Sequence, residues 1–420
     1  MPVVNMTPKG TLTSNILVVI SIAAVFYAIT FPIKNVTRKK PGNQENIVFN
    51  FTQMTTQNGY TSEEHTVVTE DGYILRIFRV QGGRKCDGKR RSLPVLLMHG
   101  LLLSSDVWLD AGTDNGLAYL IANACFDLWV GNCRGNYYSR RHETLDPDTD
   151  AKFWHFSVDE IGHYDVPAMV DYVLDYTGAE KLNYVGYSQG ASTFFIMCSE
   201  RPEYCNKINK MISLAPASRQ FNTALNPYRL LLRLFALGHQ YLRAMGVEEV
   251  LSNGAFLQEF LAYACEAYWT SSICNYGTSV LIDSYHPGSV TNETTKIMFK
   301  HFPAGTSLQN MVRYGQSAIS PDFQKYDYGK DINIDVYGQE TPPKFNLSAV
   351  TTPVVILYGK NDALVSVKDV KWLVSKLPNV IDLVEVKDPL WNHLDVAYSQ
   401  YIGEMLFPKI FEHLVTNSIN

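Results

Sequence analysis

The motif GYSQG at residues 186–190 places a serine between two glycines. It lies directly after the apolar run Leu182 to Val185 and before the helical run Ala191 to Cys198. A sharp turn from strand to helix needs small residues at its flanks, and the helix N-terminus beyond it favours negative charge. Ser188 is therefore predicted to be a nucleophile. The alternative is a glycine-rich turn that carries an incidental serine.

A serine hydroxyl is a weak nucleophile at neutral pH and needs a base that a carboxylate holds in the correct tautomer. Asp362 and His393 each follow a later apolar run of strand length. Their chain order, Ser188 then Asp362 then His393, is the order expected of an α/β-hydrolase. Asp395 is the rival orienting acid. Because it lies so close to His393 in sequence, we expect it to face elsewhere.

Acyl transfer also needs two backbone N–H donors aimed at the oxygen on which charge develops. One is predicted at Gln189, directly after the nucleophile. The other is predicted at Leu101, in the loop His99-Gly100-Leu101-Leu102 that follows an apolar run; the alternative is an ordinary turn. These groups predict an acyl-enzyme that water attacks with the help of the histidine. Such chemistry needs no metal and no organic cofactor, so none is predicted.

The elements that must position the candidate catalytic residues are short apolar runs, separated by segments long enough to form helices. This rhythm predicts an α/β fold with a mostly parallel sheet that helices cover on both faces. One β-hairpin is predicted around Asp71-Gly72. The predicted strands are Leu93 to Met98, Phe126 to Val130, Leu182 to Val185, Met211 to Leu214, Val354 to Tyr358 and Val380 to Val386.

Residues 217–349 interrupt this rhythm between two predicted core strands, and they are too numerous for a loop. They include an apolar helix candidate, Tyr228 to Leu237, and an aromatic-rich tract, Phe256 to Trp269. We predict a mainly helical insertion, called the cap below. The predicted hydrolase core then consists of residues 59–216 and 350–420, and residues 34–58 are predicted to be a polar linker.

The first 33 residues contain a targeting segment, because Ile16 to Ile33 is uncharged over eighteen residues. Its length falls between a secretory signal peptide and a spanning helix. A signal peptide cleaved between residues 24 and 30 is favoured, and the alternative is an uncleaved membrane anchor. Four sequons follow the segment and predict N-glycosylation, which supports export only mildly. Their asparagines are Asn35, Asn50, Asn292 and Asn346.

Composition excludes several classes of protein. A chain with 46% hydrophobic and 18% charged residues folds, and 36 basic against 41 acidic residues give no basic excess for a nucleic-acid partner. The seven cysteines contain no CxxC metal pattern, and their odd number leaves at least one unpaired. Cys265 and Cys274 are predicted to form a local disulfide in an oxidising compartment. The alternative is two buried thiols.

The chain resembles the acid lipase family, which contains the gastric and lysosomal acid lipases and their insect and nematode relatives. The likeness runs from about Gly59 to Phe407. It rests on the stretches GYTSEEHTVVTEDGYIL, HGLLLSSDVW, GNCRGNYYSRRH, FWHFSVDEIGHYDVPAMVDYVL, GYSQGAS, PAGTSLQNMVRYGQ, GKNDALV and WNHLDVAY, in that order. Three residues depart from the family pattern: Tyr187 stands for a usual His, Ala191 for a common Thr and Cys133 for a usual Ser. The first departure bears on the acid activity that the resemblance implies, since a tyrosine gains no charge in acid.

The resemblance implies the same catalytic residues and oxyanion donors, the same cap disulfide, and a cap that forms a lid over an acyl-chain cleft. It also implies a secreted or lysosomal lipase that hydrolyses triacylglycerols first and steryl esters second, at a lipid–water interface. Two other functions remain open: a soluble carboxylesterase for short or polar esters, and a non-catalytic lipid-binding protein. The alternative to a secreted or lysosomal enzyme is one that stays anchored to the membrane through residues 16–33.

Overall fold

The structure, a computed structural model of the chain, describes residues 50–81, 83, 86, 93–224 and 227–416. Its main sheet has eight strands: β1 Ser62–Val68, β2 Ile74–Gln81, β3 Val95–Met98, β4 Asp127–Val130, β5 Leu182–Tyr187, β6 Ile208–Leu214, β9 Val354–Tyr358 and β10 Val380–Glu385. Their order across the sheet is β1-β2-β4-β3-β5-β6-β9-β10. The short strands β7 Glu249–Val250 and β8 Thr306–Ser307 pair with each other.

The six strands from β4 to β10 in this order are parallel, whereas β1 and β2 form the predicted antiparallel hairpin at one edge. Gly72 closes that hairpin turn at φ +88°, a conformation that favours glycine. The α/β-hydrolase fold predicted from the sequence is thus confirmed. Each predicted strand has its counterpart, with ends that differ by up to three residues.

Side chains of successive strand residues enter opposite halves of the core. Leu96 and Met98 of β3 pack into one buried cluster, and Val95 and Leu97 pack into the other. All four are fully buried, which is the pattern of a parallel strand covered on both faces. The covering helices of the core are Leu117–Asn123, Val166–Thr177, Gln189–Glu200, Val367–Val374 and Phe407–Val415.

The cap consists mainly of helices between β6 and β9. They are Pro227–Ala244, Phe256–Ala264, Tyr268–Ile282, Asn292–His301, Leu308–Ser317 and Lys330–Tyr337. A disulfide joins Cys265 to Cys274 with their Cα atoms 5.7 Å apart, and it ties the second of these helices to the third. The cap also pairs with the core, because His301 Nδ1 lies 2.7 Å from Asp110 Oδ1.

The linker prediction is wrong at its C-terminal end. Residues Phe51–Gln57 form a helix, and the side chain of Asn50 caps it by accepting from Gln53 N. Phe51 is fully buried and stacks on Phe78 of β2 with ring centroids 4.5 Å apart. The local signal for this helix is a capping asparagine followed directly by an aromatic residue. The linker prediction rested on polar composition and gave this signal no weight.

The earlier part of the predicted linker, the segment Ile16 to Ile33 and Asn35 lie outside the described residues. Among the helices that the structure does describe, none is both long and apolar enough to span a bilayer. The other predicted glycosylation sites are visible. Asn50 and Asn346 are exposed, and Asn292 is half-buried with its Nδ2 donating to Ser272 Oγ. Glycosylation at all four stays a prediction.

Two further disulfides, Cys86–Cys125 and Cys198–Cys205, were not predicted. The first joins residues 39 positions apart, so it depends on how the chain folds back and not on local spacing. The second brackets the turn after the helix Gln189–Glu200. Cys133 is the free cysteine of the described residues and is buried. Three disulfides fit an oxidising, extracellular type of compartment.

Candidate active site

The turn that carries Ser188 joins the end of β5 to the helix Gln189–Glu200. Ser188 adopts φ 54° and ψ −110°, a strained conformation for a residue with a side chain. A Cβ on Gly186 would lie 2.5 Å from Gly190 O, and a Cβ on Gly190 would lie 2.3 Å from Met98 O. Both contacts are with backbone that cannot yield, so the two glycines of the motif are steric requirements of this turn.

The structure brings the three residues of the predicted triad together. His393 Nε2 lies 2.9 Å from Ser188 Oγ, and His393 Nδ1 lies 2.8 Å from Asp362 Oδ2. The other carboxylate oxygen of Asp362 accepts from the backbone N–H groups of Leu364 and Val365, at 2.9 and 2.7 Å. Ser188, Asp362 and His393 are each less than 10% exposed. The loops that follow β9 and β10 therefore place a carboxylate and an imidazole in line with the serine hydroxyl.

The electrostatic surroundings of His393 favour its acceptance of a proton. Burial acts to lower the pKa of its imidazole, but the charge and hydrogen bond of Asp362 and the charge of Asp283 outweigh burial. The pKa of His393 is therefore raised above its ordinary value. A more basic imidazole is a stronger acceptor for the serine proton.

Asp395, the rival acid, contacts a different histidine. Its Oδ2 lies 2.7 Å from Nδ1 of His286, and its Oδ1 accepts from Ser289 Oγ. The hydrogen bond that His286 donates to Asp395 is the largest cause of the raised pKa of His286. Asp395 thus belongs to a second contact between core and cap, and Asp362 is the carboxylate beside His393.

The loop after β3 lies against the serine. Within the described part of the chain, the backbone N–H groups of Leu101 and Gln189 donate to no protein acceptor. A Cβ on Gly100 would lie 3.2 Å from Ser188 Cβ, so this loop passes close to the serine. Leu101 and Ser188 line the same cavity, and Gln189 directly follows the serine, so the two predicted oxyanion donors lie beside Ser188.

His99 holds this loop in place, a role that the sequence patterns did not predict. His99 Nδ1 lies 2.8 Å from Gly100 O, and Nε2 accepts from Cys133 N at 3.2 Å. Burial lowers the pKa of His99 to about 4. The ring is therefore neutral, which lets it donate through Nδ1 while it accepts through Nε2.

Tyr187, the departure from the family pattern, packs beside the base. Its hydroxyl donates to His393 O at 2.9 Å, and the two rings lie 5.0 Å apart. Burial raises the pKa of Tyr187 well above its ordinary range, so the phenol stays neutral. A neutral donor at this position holds the histidine loop without a charge beside the imidazole.

A cavity of about 470 Å³ opens onto Ser188 and His393. Its wall is mostly apolar, and most of the lining side chains come from the cap. The leucine, isoleucine and methionine members are Leu101, Leu102, Leu103, Leu231, Leu251, Leu257, Leu261, Leu281, Ile282, Met298, Met311, Leu364 and Leu394. Such a cavity suits a hydrocarbon chain and offers few partners to a polar ligand. Across the described residues, no cluster of three or more His, Cys, Asp or Glu side chains could hold a metal.

Comparisons with protein families agree with this arrangement. A family model described as "Partial alpha/beta-hydrolase lipase region" matches residues 51–112, and one described as "alpha/beta hydrolase fold" matches residues 94–250.

Similar curated proteins are lipases by name. Lipase 1 of Drosophila melanogaster is 39% identical over 360 residues, which cover 85% of this chain and 77% of that protein. Gastric triacylglycerol lipase of Homo sapiens is 35% identical over 88% of this chain and 92% of its own length. Lipase member K of Homo sapiens is 34% identical over 90% of this chain and 92% of its own length.

Proposed function

This chain is a lipase of the acid lipase family of α/β-hydrolases, and we propose that it hydrolyses the carboxylic esters of neutral lipids through an acyl-enzyme on Ser188. Triacylglycerols are the first proposed substrates and steryl esters the second. The observation that carries the proposal is the 2.9 Å contact between Ser188 Oγ and His393 Nε2 at the mouth of an apolar cavity. Gastric lipase, a relative, is named for triacylglycerol.

In the proposed mechanism, Ser188 Oγ attacks the ester carbonyl carbon while His393 Nε2 takes its proton. The N–H groups of Leu101 and Gln189 bind the oxyanion of the tetrahedral intermediate. Protonated His393 then donates to the leaving alcohol, and the acyl group stays on the serine. Water then attacks the acyl carbon while His393 removes its proton. The second tetrahedral intermediate collapses by breaking the bond to Ser188 Oγ, which takes the proton back from His393, and the free acid leaves. Asp362 holds the imidazole in the required tautomer throughout.

The outer surface of the cap supports contact with a lipid–water interface. Leu237 and Tyr241, one turn apart on the helix Pro227–Ala244, are 82% and 80% exposed, whereas Phe235 on the same helix is fully buried. Phe256, Phe260 and Tyr263 add a second exposed row on the next helix. We call these five side chains the cap face. Exposed apolar rows of this extent are typical of surfaces that contact lipid or another apolar partner.

The compartment is part of the same proposal. We propose that the segment Ile16 to Ile33 directs export as a signal peptide, and that the mature chain is secreted or delivered to the lysosome. The three disulfides support an oxidising compartment. The four sequons would then carry glycans, beginning with the exposed Asn346.

The substrate class is tested by comparing a tributyrin emulsion with a water-soluble short-chain ester. We expect the rate to rise sharply once tributyrin exceeds its solubility, because the cap face then meets an interface. Equal rates on the two esters, with no rise at the solubility limit, would show a soluble carboxylesterase instead.

A further inference from the structure

Asp283 is a buried carboxylate of the cap that reaches the loops of both triad partners. It follows the helix Tyr268–Ile282 and is only 4% exposed. Its Oδ1 accepts from the backbone N–H of Ala363 at 3.0 Å, and its Oδ2 accepts from that of Leu394 at 2.9 Å. Ala363 directly follows Asp362, and Leu394 directly follows His393. One carboxylate therefore bridges two loops that are far apart in sequence.

The next two cap residues, Ser284 and Tyr285, contact the residues that precede the two triad partners. Asn392, which precedes His393, donates through Nδ2 to Ser284 O at 2.6 Å. Asn361, which precedes Asp362, donates through Nδ2 to Tyr285 O at 3.3 Å. The cap segment 283–285 thus binds the residues before and after both Asp362 and His393.

From this placement we propose that segment 283–285, and Asp283 above all, is a positioning element that sets the distance between Asp362 and His393. The inference rests on the proposed function, since it assigns part of the catalytic geometry to the cap. Hydrogen bonds from backbone N–H groups to a carboxylate are short and strong, and both of these are buried. The two loops also contact each other through Asn361, whose backbone N–H donates to Trp391 O at 3.1 Å and whose Nδ2 donates to Leu390 O at 3.0 Å. Asp283 adds to this contact a bridge between the residues that directly follow Asp362 and His393.

Asp283 also places a second negative charge near the base. The ionisable groups that face it are Asp362, His393 and Tyr187. Burial, followed by the charge of Asp362, raises the pKa of Asp283. When Asp283 is ionised it raises the pKa of His393. Because His393 must be neutral to act as a base, activity falls as pH drops through that pKa, and loss of the Asp283 charge should move this acid limb to lower pH.

The test uses the full secreted chain and the variants Asp283→Asn and Asp110→Asn. Asparagine keeps the shape of the side chain but offers only one acceptor oxygen and no charge. Asp110 is the matched control, because it is a buried carboxylate that joins cap to core through His301 and contacts neither triad loop. The measurements are kcat and KM against pH on a chromogenic butyrate ester, and the melting temperature.

For Asp283→Asn we expect kcat to fall about 10- to 100-fold, as small misplacements of catalytic groups do, with KM within about twofold. The acid limb should move to lower pH. Asp110→Asn should lower the melting temperature while leaving the acid limb unmoved. A folded Asp283→Asn enzyme with the parent kcat and parent acid limb would overturn the proposal, as would an equal limb shift in both variants.

Two further variants keep the outcome decisive. If Asp283→Asn does not fold, Asn361→Ala is the second variant. It removes both bonds that the partly exposed Nδ2 donates, to Tyr285 O of the cap and to Leu390 O of the histidine loop, and we expect kcat to fall a few-fold at constant KM. An unchanged kcat would then count against the positioning role. Ser188→Ala separates the two proposals: hydrolysis that survives it defeats the serine mechanism, whereas its loss beside a normal Asp283→Asn enzyme defeats only the role of Asp283.

Discussion

The turn at residues 186–190, called the elbow below, and the cap face differ in how tightly their atoms are packed. At the elbow, backbone atoms approach so closely that a Cβ on Gly190 would lie 2.3 Å from a carbonyl oxygen, and the flanking side chains are fully buried. On the helix Pro227–Ala244, a Cβ added to Gly238 would have no neighbour within 4 Å apart from its own helix. Leu237 beside it is 82% exposed. The elbow fixes atoms for chemistry, whereas the cap face offers apolar area for contact.

This difference in packing predicts which property a substitution in each region should change. Changes at the elbow should alter turnover on every ester or the folding of the chain. Changes on the cap face should alter only reactions at an interface. Asp283 is the place where the two regions meet, because a cap residue there holds loops of the core. The predictions below test the contrast from its largest expected effect to its smallest.

The largest effect is expected for Ser188→Ala, which removes the nucleophile. Hydrolysis of soluble and emulsified esters should fall about 10⁴-fold or more, because the remaining groups cannot form an acyl-enzyme. Ser213→Ala is the matched control, since it is a buried serine on the neighbouring strand whose Oγ has no partner in the described structure. It should keep parent activity. Substantial turnover by Ser188→Ala would mean that another group performs the attack.

The next effect concerns stability at the elbow. Gly190→Ala forces a Cβ onto Met98 O, and we expect the free energy of unfolding to drop by about 3 kcal/mol, the upper range for overpacking. Gly238→Ala is its counterpart on the cap and should raise stability by up to about 1 kcal/mol through helix propensity. Denaturant unfolding measures both. If both substitutions changed the free energy of unfolding equally, the proposed difference in packing between the two regions would be wrong.

A smaller effect is expected on the cap face. The double variant Leu237→Ser, Tyr241→Ser should bind a triacylglycerol emulsion about tenfold more weakly, because two apolar side chains no longer enter the lipid. Its kcat on a soluble butyrate ester should not change. Ile332→Ser, Val336→Ser is the matched control: it has the same spacing and two exposed side chains, on the helix Lys330–Tyr337. If both double variants weaken emulsion binding equally, the cap face has no special role.

The smallest effect is expected for Tyr187→Phe, which removes one hydrogen bond to His393 O. A bond of this kind contributes about 1 kcal/mol, so kcat should fall about fivefold on soluble and emulsified esters alike. Tyr204→Phe loses a hydroxyl contact to Asp171 far from the triad and should leave kcat unchanged. An effect of Tyr187→Phe confined to emulsions would assign the residue to lipid contact instead.

Sequence patterns predicted best what is local. The glycines around Ser188, the strand Val354–Tyr358 and the chain order of acid and base could all be read directly, because strand-to-helix turns and strand ends need few residue types. The hairpin at Asp71-Gly72 followed from the same kind of turn chemistry.

What sequence patterns missed depends on contacts between distant segments. The roles of His99 and Asp283 arise only when another loop folds against them, and a lone histidine or aspartate carries no local signature of that. The disulfide Cys86–Cys125 was missed for the same reason. The helix at Phe51–Gln57 was missed because polar composition outweighed one buried aromatic residue.

The most direct test of the central claim is covalent labelling by an organophosphonate, followed by intact-mass measurement and peptide mapping. Ser188 Oγ lies 2.9 Å from Nε2 of His393, the base proposed to activate it. The account predicts one adduct per chain, on Ser188, with ester hydrolysis lost in proportion to labelling and no adduct on Ser188→Ala. An adduct on another residue, or full hydrolysis by a chain whose Ser188 is completely modified, would contradict it.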